Sequence, residues 1–250
     1  MTVVSVIMPY YKKEAYIYES VESILNQTFK EFEIIIIDDE LTINSSKVLE
    51  KIEKLDPKIK IIRNQKNEGA GESRNNAINI CRGEYIAFCD CDDLWNSQKL
   101  EKQLNFMRDH SVEFSFTSYQ IIDNKNLVIE YRKAKDNLNF KELRNSCDIG
   151  LSTVMINNKI FQKKNLRFAN TKTKEDFILW LLIAKNGIKM FGVKENLVSW
   201  RKNSDSLSSD TFQKIIDGYR VYRNYLDYGV IKSLFFLFIL SANFILKKIK

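Results

Sequence analysis

The chain has a single histidine, two prolines, eight glycines and four cysteines in 250 residues. A Ser-His or Cys-His triad would have to use His110, which lies at the C-terminal end of a predicted helix, where its cationic form suits the helix dipole. A catalytic base is therefore expected among the carboxylates. The cysteines lack both the paired spacing of a zinc finger and the density of a disulfide framework, which predicts reduced thiols.

Targeting sequences and blocks of like charge are also missing. The first five residues lead straight into a predicted strand, without the basic and apolar regions of a signal peptide, which predicts that the active domain stays in the cytoplasm. Without a Lys/Arg block interleaved with aromatic residues, nucleic acid is not expected as a partner. The net charge of +7 instead suits anionic lipid headgroups or a phosphorylated substrate.

Strand and helix patterns alternate through the first 109 residues. Strands are predicted at residues 3–8 (stopped by Pro9), 33–37, 59–63 and 85–89, with helices at 14–26, 45–55, 73–81 and 97–109. These strands are apolar on both faces, which is typical of a parallel, doubly wound α/β sheet. Further strands are predicted at 113–118, 127–131, 189–193 and 196–200.

Acidic residues follow two of the predicted strands. Asp38 and Asp39 end one strand, and Asp90 and Asp92 follow another. Because the loops after parallel strands lie at the same edge of a sheet, both clusters are expected to face one crevice. Carboxylates at alternate positions repel each other unless a cation lies between them, and such hard oxygen ligands suit Mg²⁺ or Mn²⁺. The alternatives are a solvated polar turn and, for Asp39, a helix cap.

Three later segments are candidates for contacts with a ligand. Residues 67–76 form a glycine-containing loop at a helix start, where Arg74 either clamps a phosphate or is solvated. Residues 174–187 are predicted as an amphipathic helix, with Glu175 and Asp176 in its first turn serving either chemistry or the helix dipole. The polar loop 201–208 either closes over a diphosphate or is mobile.

The C-terminal region is predicted to be helical. A helix is expected at 210–228, and residues 233–246 then form a 14-residue stretch without charge, bordered by Lys232 and by Lys247. That stretch is shorter than the about 20 apolar residues that span a bilayer. It is expected to lie in the membrane interface, where flanking lysines favour anionic lipid, or to pack against the protein.

Five segments together resemble one enzyme family. Residues 4–11, 23–39, 67–75, 90–93 and 175–180 are similar, in this order, to successive motifs of the family 2 glycosyltransferases, whose nucleotide-sugar-binding fold is called GT-A. The resemblance covers residues 3–208. It implies a GT-A fold and an inverting transfer of a sugar from a nucleotide-sugar to a hydroxyl of a saccharide acceptor.

The resemblance also assigns roles to individual residues. The aromatic residue after the first strand would pack on the uracil of a UDP-sugar, and a metal ion, Mn²⁺ or Mg²⁺, would be held by Asp92 with support from Asp90. Asp176 would be the general base that takes the acceptor's proton. The implied nucleotide-sugar-binding residues are Pro9, Tyr11, Asp39, Arg74, Asp90 and Arg201.

This interpretation gives a domain organisation and a location. Residues 1–208 would form the catalytic domain, with a nucleotide-sugar-binding half (1–110) and an acceptor-binding half (111–208). Residues 209–250 would form a helical, membrane-associating segment. We therefore expect a peripheral protein on the inner face of the cytoplasmic membrane, acting on a lipid-linked acceptor in bacterial surface polysaccharide synthesis.

Two departures from the family pattern and two alternatives remain. Glu40-Leu41 stands where the family usually has Gly-Ser, and Asn203 ends the segment that usually reads Arg-x-His, so a histidine contact is replaced by an amide or lost. A sugar-phosphate nucleotidyltransferase would need the same metal site but no base on a later helix. A non-catalytic nucleotide- or lipid-binding scaffold is the second alternative.

Overall fold

One mixed β-sheet organises the chain in the computed structural model, which describes residues 2–203 and 211–249. The strand order is β3-β2-β1-β4-β9-β6-β10-β5, with β7 paired to β6 and β8 paired to β10. The strands are β1 (Val4–Tyr10), β2 (Phe32–Asp38), β3 (Ile59–Arg63), β4 (Tyr85–Phe88), β5 (Leu94–Trp95), β6 (Phe114–Ile122), β7 (Val128–Arg132), β8 (Asn137–Leu138), β9 (Met155–Asn157) and β10 (Met190–Arg201).

Helices cover both faces of this sheet. They are α1 (Ile17–Leu25), α2 (Ile43–Glu53), α3 (Ala70–Ile80), α4 (Lys99–Asp109), α5 (Phe140–Leu143), α6 (Lys159–Lys164), α7 (Glu175–Lys185), α8 (Thr211–Arg220) and α9 (Val230–Ile249). One hydrophobic core lies under α1, α2 and α4, and a second lies under α3 and α7. The strands β3-β2-β1-β4 are parallel, so the predicted α/β architecture is confirmed.

Two strand predictions need correction. β1 does not stop before Pro9 but continues to Tyr10. Its pairing with β4 ends at Ile7, whereas its pairing with β2 continues through Pro9. The nitrogen of Pro9 is on the β4 side, where pairing has already ended, so the missing N–H costs no hydrogen bond between strands. The two strands predicted at 189–193 and 196–200 are the single strand β10, whose pairing with β6 shifts register between Val193 and Val198.

The helix that carries Glu175 and Asp176 is not amphipathic. In α7 the five residues from Phe177 to Leu181 are all buried, because the helix lies between the sheet and the C-terminal helical region rather than at the surface. A helix that is apolar on nearly every side is typical of such a central position. The burial fixes the first turn of α7, and with it the two acids, relative to the sheet.

The C-terminal region forms α8, a π-helical turn (Val221–Tyr225) and the 20-residue helix α9, which begins three residues before the predicted apolar stretch. One side of α9 packs on the protein, where Phe236 and Leu240 join the core beside α7. Among the helices that the structure describes, none has the length and apolar character needed to cross a membrane. The predicted domain boundary at residue 208, and most of the loop 201–208, lie outside the described residues.

Candidate active site

The acidic motif after β4 is held in place by hydrogen bonds to the side chains of Asp93 and Ser152. The buried side chain of Asp93 accepts from the Ser152 hydroxyl and from the backbone N–H of Arg201, and the same Ser152 oxygen accepts from the backbone N–H of Asp90 at 3.0 Å. Burial, together with repulsion from Asp92 and Asp90, raises the pKa of Asp93 well above its usual range. Asp93 is thus part of the frame, and of the other two acids Asp90 is the more exposed, with 33% of its side chain accessible against 13% for Asp92.

Asp92 has two protein partners on one oxygen. Its Oδ2 lies 2.6 Å from the ammonium of Lys13, in the loop after β1, and 2.7 Å from the Asn203 amide nitrogen, beyond β10. The Asn203 amide oxygen is buried and has no hydrogen-bond donor among the residues that the structure describes. A hard cation beside Asp92 would therefore meet a carboxylate and an unused amide oxygen.

Arg74 joins the acidic motif to the first turn of α7. Its guanidinium is almost fully buried and lies 2.8 Å from Asp90 Oδ1 and 2.9 Å from Glu175 Oε1. The clamp on a phosphate stays a prediction, and the bridge brings the two acidic segments, far apart in the sequence, onto one guanidinium. The charge-assisted contacts also hold Arg74 in a single orientation.

Asp176 is the acid next to this bridge. Its Oδ1 accepts the backbone N–H of Phe177 at 2.6 Å. Burial and the neighbouring Glu175 carboxylate raise the pKa of Asp176 to about 7. A carboxylate whose pKa lies near neutrality can accept a proton at physiological pH and is the type of group that general-base catalysis requires.

An aromatic cluster sets the distance between strand β4 and helix α7. The Trp180 ring lies 5.0 Å from Phe114, edge to face, and 6.2 Å from Phe88, measured between ring centroids. Phe88 comes two residues before Asp90, and Trp180 lies one helical turn after Asp176. Trp180 therefore acts as a packing residue that positions Asp176 relative to the acidic motif.

Asp39 organises the glycine-containing loop that precedes α3. Its carboxylate accepts the Asn64 amide at 2.7 Å and the backbone N–H groups of Glu68 and Gly69 at 2.8 Å each. Gly69 has a φ of 87°, which a residue with a side chain rarely adopts. Asp39 thus caps the entry to α3, the helix that carries Arg74, and its predicted contact with a nucleoside stays a prediction.

The other predicted donor contacts are at the ends of β1 and β10. Tyr11 follows β1 and is 40% exposed, while Pro9 lies inside the strand. Arg201 is buried, and its guanidinium donates to the backbone oxygens of Asp92 and Asp123 and to the Glu19 carboxylate. Arg201 therefore contacts the acidic motif through the backbone oxygen of Asp92.

The site suits a divalent cation that shares its coordination with a substrate. The described residues contain no group of three or more His, Cys, Asp or Glu side chains that could hold a metal by themselves. Mg²⁺ and similar ions are commonly bound by one or two carboxylates plus substrate phosphates, which matches Asp90, Asp92 and the Asn203 amide oxygen. The donor set fits Mg²⁺ or Mn²⁺ better than a softer metal.

Comparison with known proteins identifies the family. The profile described as "Glycosyl transferase family 2" matches residues 5–168. A "Putative teichuronic acid biosynthesis glycosyltransferase TuaG" from Bacillus subtilis is 35% identical over 221 residues, covering 88% of this chain and 87% of that protein. The chain belongs to glycosyl transferase family 2. The resemblance of the five sequence segments is confirmed.

Other relatives and structures agree with this assignment. Escherichia coli WfgD, named a UDP-Glc:alpha-D-GlcNAc-diphosphoundecaprenol beta-1,3-glucosyltransferase, is 34% identical over 85% of this chain and 82% of its own. Staphylococcus aureus TarS 1–349 with UDP-GlcNAc has a TM-score of 0.74 at 21% identity, covering 94% and 70% of the two chains. The mannosyltransferase PcManGT from Pyrobaculum calidifontis, with GDP-Man and Mn²⁺, has a TM-score of 0.70 at 13% identity, covering 94% and 69%. These two structures confirm the GT-A fold.

Sequence reasoning missed two side chains of this glycosyltransferase's site, Lys13 and Ser152. The loop after β1 opens at the same edge of the sheet as the acidic motif, so the strand-end rule that located Asp92 points to Lys13 as well. Ser152 lies in a short 3₁₀ turn remote in sequence from the acids that it contacts. No local pattern around Ser152 indicates that contact.

Proposed function

We propose that this glycosyltransferase transfers a sugar, with inversion and with a divalent metal ion, from a UDP-sugar to a hydroxyl of a lipid-linked saccharide in bacterial surface polysaccharide synthesis. The observation that carries the proposal is the buried Arg74 bridge between Asp90 and Glu175. It brings the acidic motif close to the first turn of α7, which supports a donor site at the motif and a base, Asp176, beside it.

The donor side has groups suited to a nucleoside diphosphate. Tyr11 offers an exposed ring at the end of β1, the position at which an aromatic residue can stack on a base. Asp39 holds the loop that leads to Arg74, and Asp90 and Asp92 are the residues that would hold Mn²⁺ or Mg²⁺. Such an ion supplies positive charge that stabilises a departing diphosphate.

The acceptor side needs a group that removes a proton as the hydroxyl attacks. Asp176 is suited to this because burial and Glu175 raise its pKa to about 7, so it is both available and basic near neutral pH. Attack on the face opposite to the departing diphosphate inverts the anomeric centre. The positions of Asp176 and the acidic motif on different elements support separate roles for base and metal site.

The C-terminal helices support a lipid-linked acceptor. The face of α9 that turns away from the core carries large exposed apolar side chains at helical spacing: Ile231, Phe235, Phe238 and Ile245. Residues 211–249 contain six basic and two acidic residues, which favours an anionic membrane surface as the occupant of this apolar face. The named acceptor of WfgD is a diphosphoundecaprenol saccharide, and we extend a lipid-linked acceptor to this chain.

These helices are also tied to the catalytic helix. The buried Asp217 of α8 accepts the backbone N–H of Thr173 at 3.1 Å and its hydroxyl at 3.0 Å. Thr173 lies three residues before Asp176. A membrane contact through α8 and α9 would thus bring the base towards an acceptor whose sugar projects from the lipid surface.

The reaction is tested by the products formed from a panel of UDP-sugars with Mn²⁺ and an undecaprenyl-diphosphate-linked saccharide. The proposal expects UDP release that depends on the acceptor, and a lipid product extended by one sugar. Release of pyrophosphate would identify a nucleotidyltransferase instead. Donor binding without any turnover, equal in wild type and Asp176→Asn, would identify a binding scaffold.

The membrane contact is tested by flotation with anionic liposomes. Deleting α9 would remove the core residues Phe236 and Leu240 and expose Tyr222, which stacks on Phe236, so point variants on the outward face of α9 are preferable. Ile231→Asn with Phe238→Ser is expected to reduce liposome binding while leaving soluble-donor hydrolysis intact. Ile43→Asn, a variant of an equally exposed residue on α2, is the matched control. Undiminished binding of the double variant would refute the membrane contact.

A further inference from the structure

Asp92, one of the carboxylates proposed to hold the metal, already forms an ion pair with a lysine. Lys13 Nζ lies 2.6 Å from Asp92 Oδ2, with both side chains largely shielded from water. The ammonium therefore lies on the Asp92 oxygen that a divalent cation would also use.

We propose that Lys13 is an exchangeable counterion of the metal site, which leaves Asp92 when a divalent cation enters and pairs with the diphosphate of the donor. This inference rests on the proposed metal-dependent function. The two cations compete because both seek the same carboxylate and repel each other at short range. The displaced ammonium then requires an anion, and the diphosphate is the anion that enters this crevice with the metal.

The placement of Lys13 makes such a movement physically simple. It lies in the loop between β1 and α1, and its neighbour Lys12 has a φ of 52°, outside the regular elements. A lysine ammonium is a point charge on a flexible four-carbon stem, unlike the fixed fork of Arg74. Arg74 is bound on two sides by Asp90 and Glu175, whereas Lys13 pairs with one carboxylate, Asp92, among the residues that the structure describes, and it can turn towards another anion.

The proposal predicts a particular thermodynamic coupling. In the wild type, Mn²⁺ alone must displace Lys13 and binds weakly, but Mn²⁺ with UDP gives the displaced ammonium a new partner. Removing the charge of Lys13 should therefore tighten the binding of Mn²⁺ alone and weaken the binding of UDP in the presence of Mn²⁺. Because binding linkage is reciprocal, both changes reduce the factor by which each ligand improves the affinity for the other.

The experiment measures Mn²⁺ binding by electron paramagnetic resonance and UDP binding by calorimetry, each with and without the other ligand. Lys13→Gln and Lys13→Met are compared with Lys58→Gln, which removes the same charge from a partly exposed pair with Asp56. In both Lys13 variants the coupling factor is expected to fall by about 5-fold or more, the lower end of usual coupling between sites. Lys13→Arg, which keeps the charge, should bind Mn²⁺ alone no more tightly than the wild type.

The outcomes separate this inference from the proposed function. If the wild type binds Mn²⁺ with UDP, and neither Lys13→Gln nor Lys13→Met alters the affinity for Mn²⁺ alone, Lys13 is not an exchangeable counterion and the metal site stands. If Asp92→Ala binds Mn²⁺ as the wild type does, or the wild type binds none even with UDP, the metal site fails as well. Thermal unfolding of each folded variant confirms that affinities are compared between native proteins.

Discussion

The raised pKa of Asp176 leads to a specific dependence of activity on pH. A base with a pKa of about 7 is roughly one-tenth deprotonated at pH 6 and nine-tenths at pH 8. The transfer rate at low donor concentration should therefore rise about tenfold across this interval. Asp176→Asn should lower the rate at pH 8 by about 10²- to 10⁴-fold, the usual contribution of a general base, with donor affinity nearly unchanged.

The neighbouring acid provides the matched perturbation. Burial is the largest cause of the raised pKa and the Glu175 carboxylate is the next, so Glu175→Gln should move the ascending limb of the profile to lower pH. The rate is measured as nucleoside diphosphate released under single-turnover conditions from pH 5.5 to 8.5. In Asp176→Asn the residual rate should no longer rise with pH over this range. A rise that persisted in this variant would come from titration of the substrate and not of Asp176.

A stability measurement distinguishes lost chemistry from lost structure. Because the folded-state pKa of Asp176 lies above its unfolded value, its ionisation opposes folding, and stability falls as pH rises from about 4 to 7. Asp176→Asn removes that effect and should unfold at a higher urea concentration than the wild type at pH 8. A flat activity profile in the wild type, or the same ascending limb in the asparagine variant, would refute Asp176 as the base.

Three further predictions concern the frame around the site. Hydrogen bonds from Lys60 and Ser5 overcome burial and lower the pKa of Glu33, so Glu33→Gln should reduce the urea midpoint at pH 7, with a difference that shrinks as pH falls below about 4. Gly83→Ala places a Cβ 2.5 Å from a backbone nitrogen and should cost about 1–3 kcal/mol of unfolding free energy by calorimetry, whereas Gly229→Ala, with open space around it, should be nearly neutral. Arg74→Lys cannot hold two carboxylates in a fork and should weaken UDP binding in calorimetry; an unchanged affinity would remove Arg74 from the donor site.

The sheet and the acidic motif could be predicted because their signals are local. β2, β3 and β4 are short apolar runs, and strand ends in a parallel sheet share one edge, so Asp39 and Asp92 were located by spacing alone. The prediction of an amphipathic α7 was wrong although the signal was in the sequence. Every residue from Phe177 to Ala184 is apolar, so the helix has no polar side along this run, which is typical of a buried helix.

Side-chain partners were less predictable than backbone elements. The sequence predicts that Arg74 either clamps a phosphate or is solvated, and it gives no sign that two acids far apart in the sequence, Asp90 and Glu175, hold it. Such a bridge depends on the distance between β4 and α7, which is set by the packing of Trp180 against Phe88 and Phe114, residues that are distant from it in the sequence. The motif gives the identity of the charged groups, and the apolar core gives their separation.

The side-chain partners of Arg201 bear on its predicted role in binding the nucleotide-sugar. Its guanidinium is buried and donates to the backbone oxygens of Asp92 and Asp123 as well as to Glu19. Turning it towards a diphosphate would leave the buried backbone oxygen of Asp92 without this donor, at a cost of about 1–3 kcal/mol, whereas Glu19, 43% exposed, could turn to water. The geometry therefore favours an indirect contribution to donor binding, in which Arg201 fixes the backbone of Asp92, while Lys13, on a flexible stem above the same carboxylate, is the cation placed to meet the phosphates.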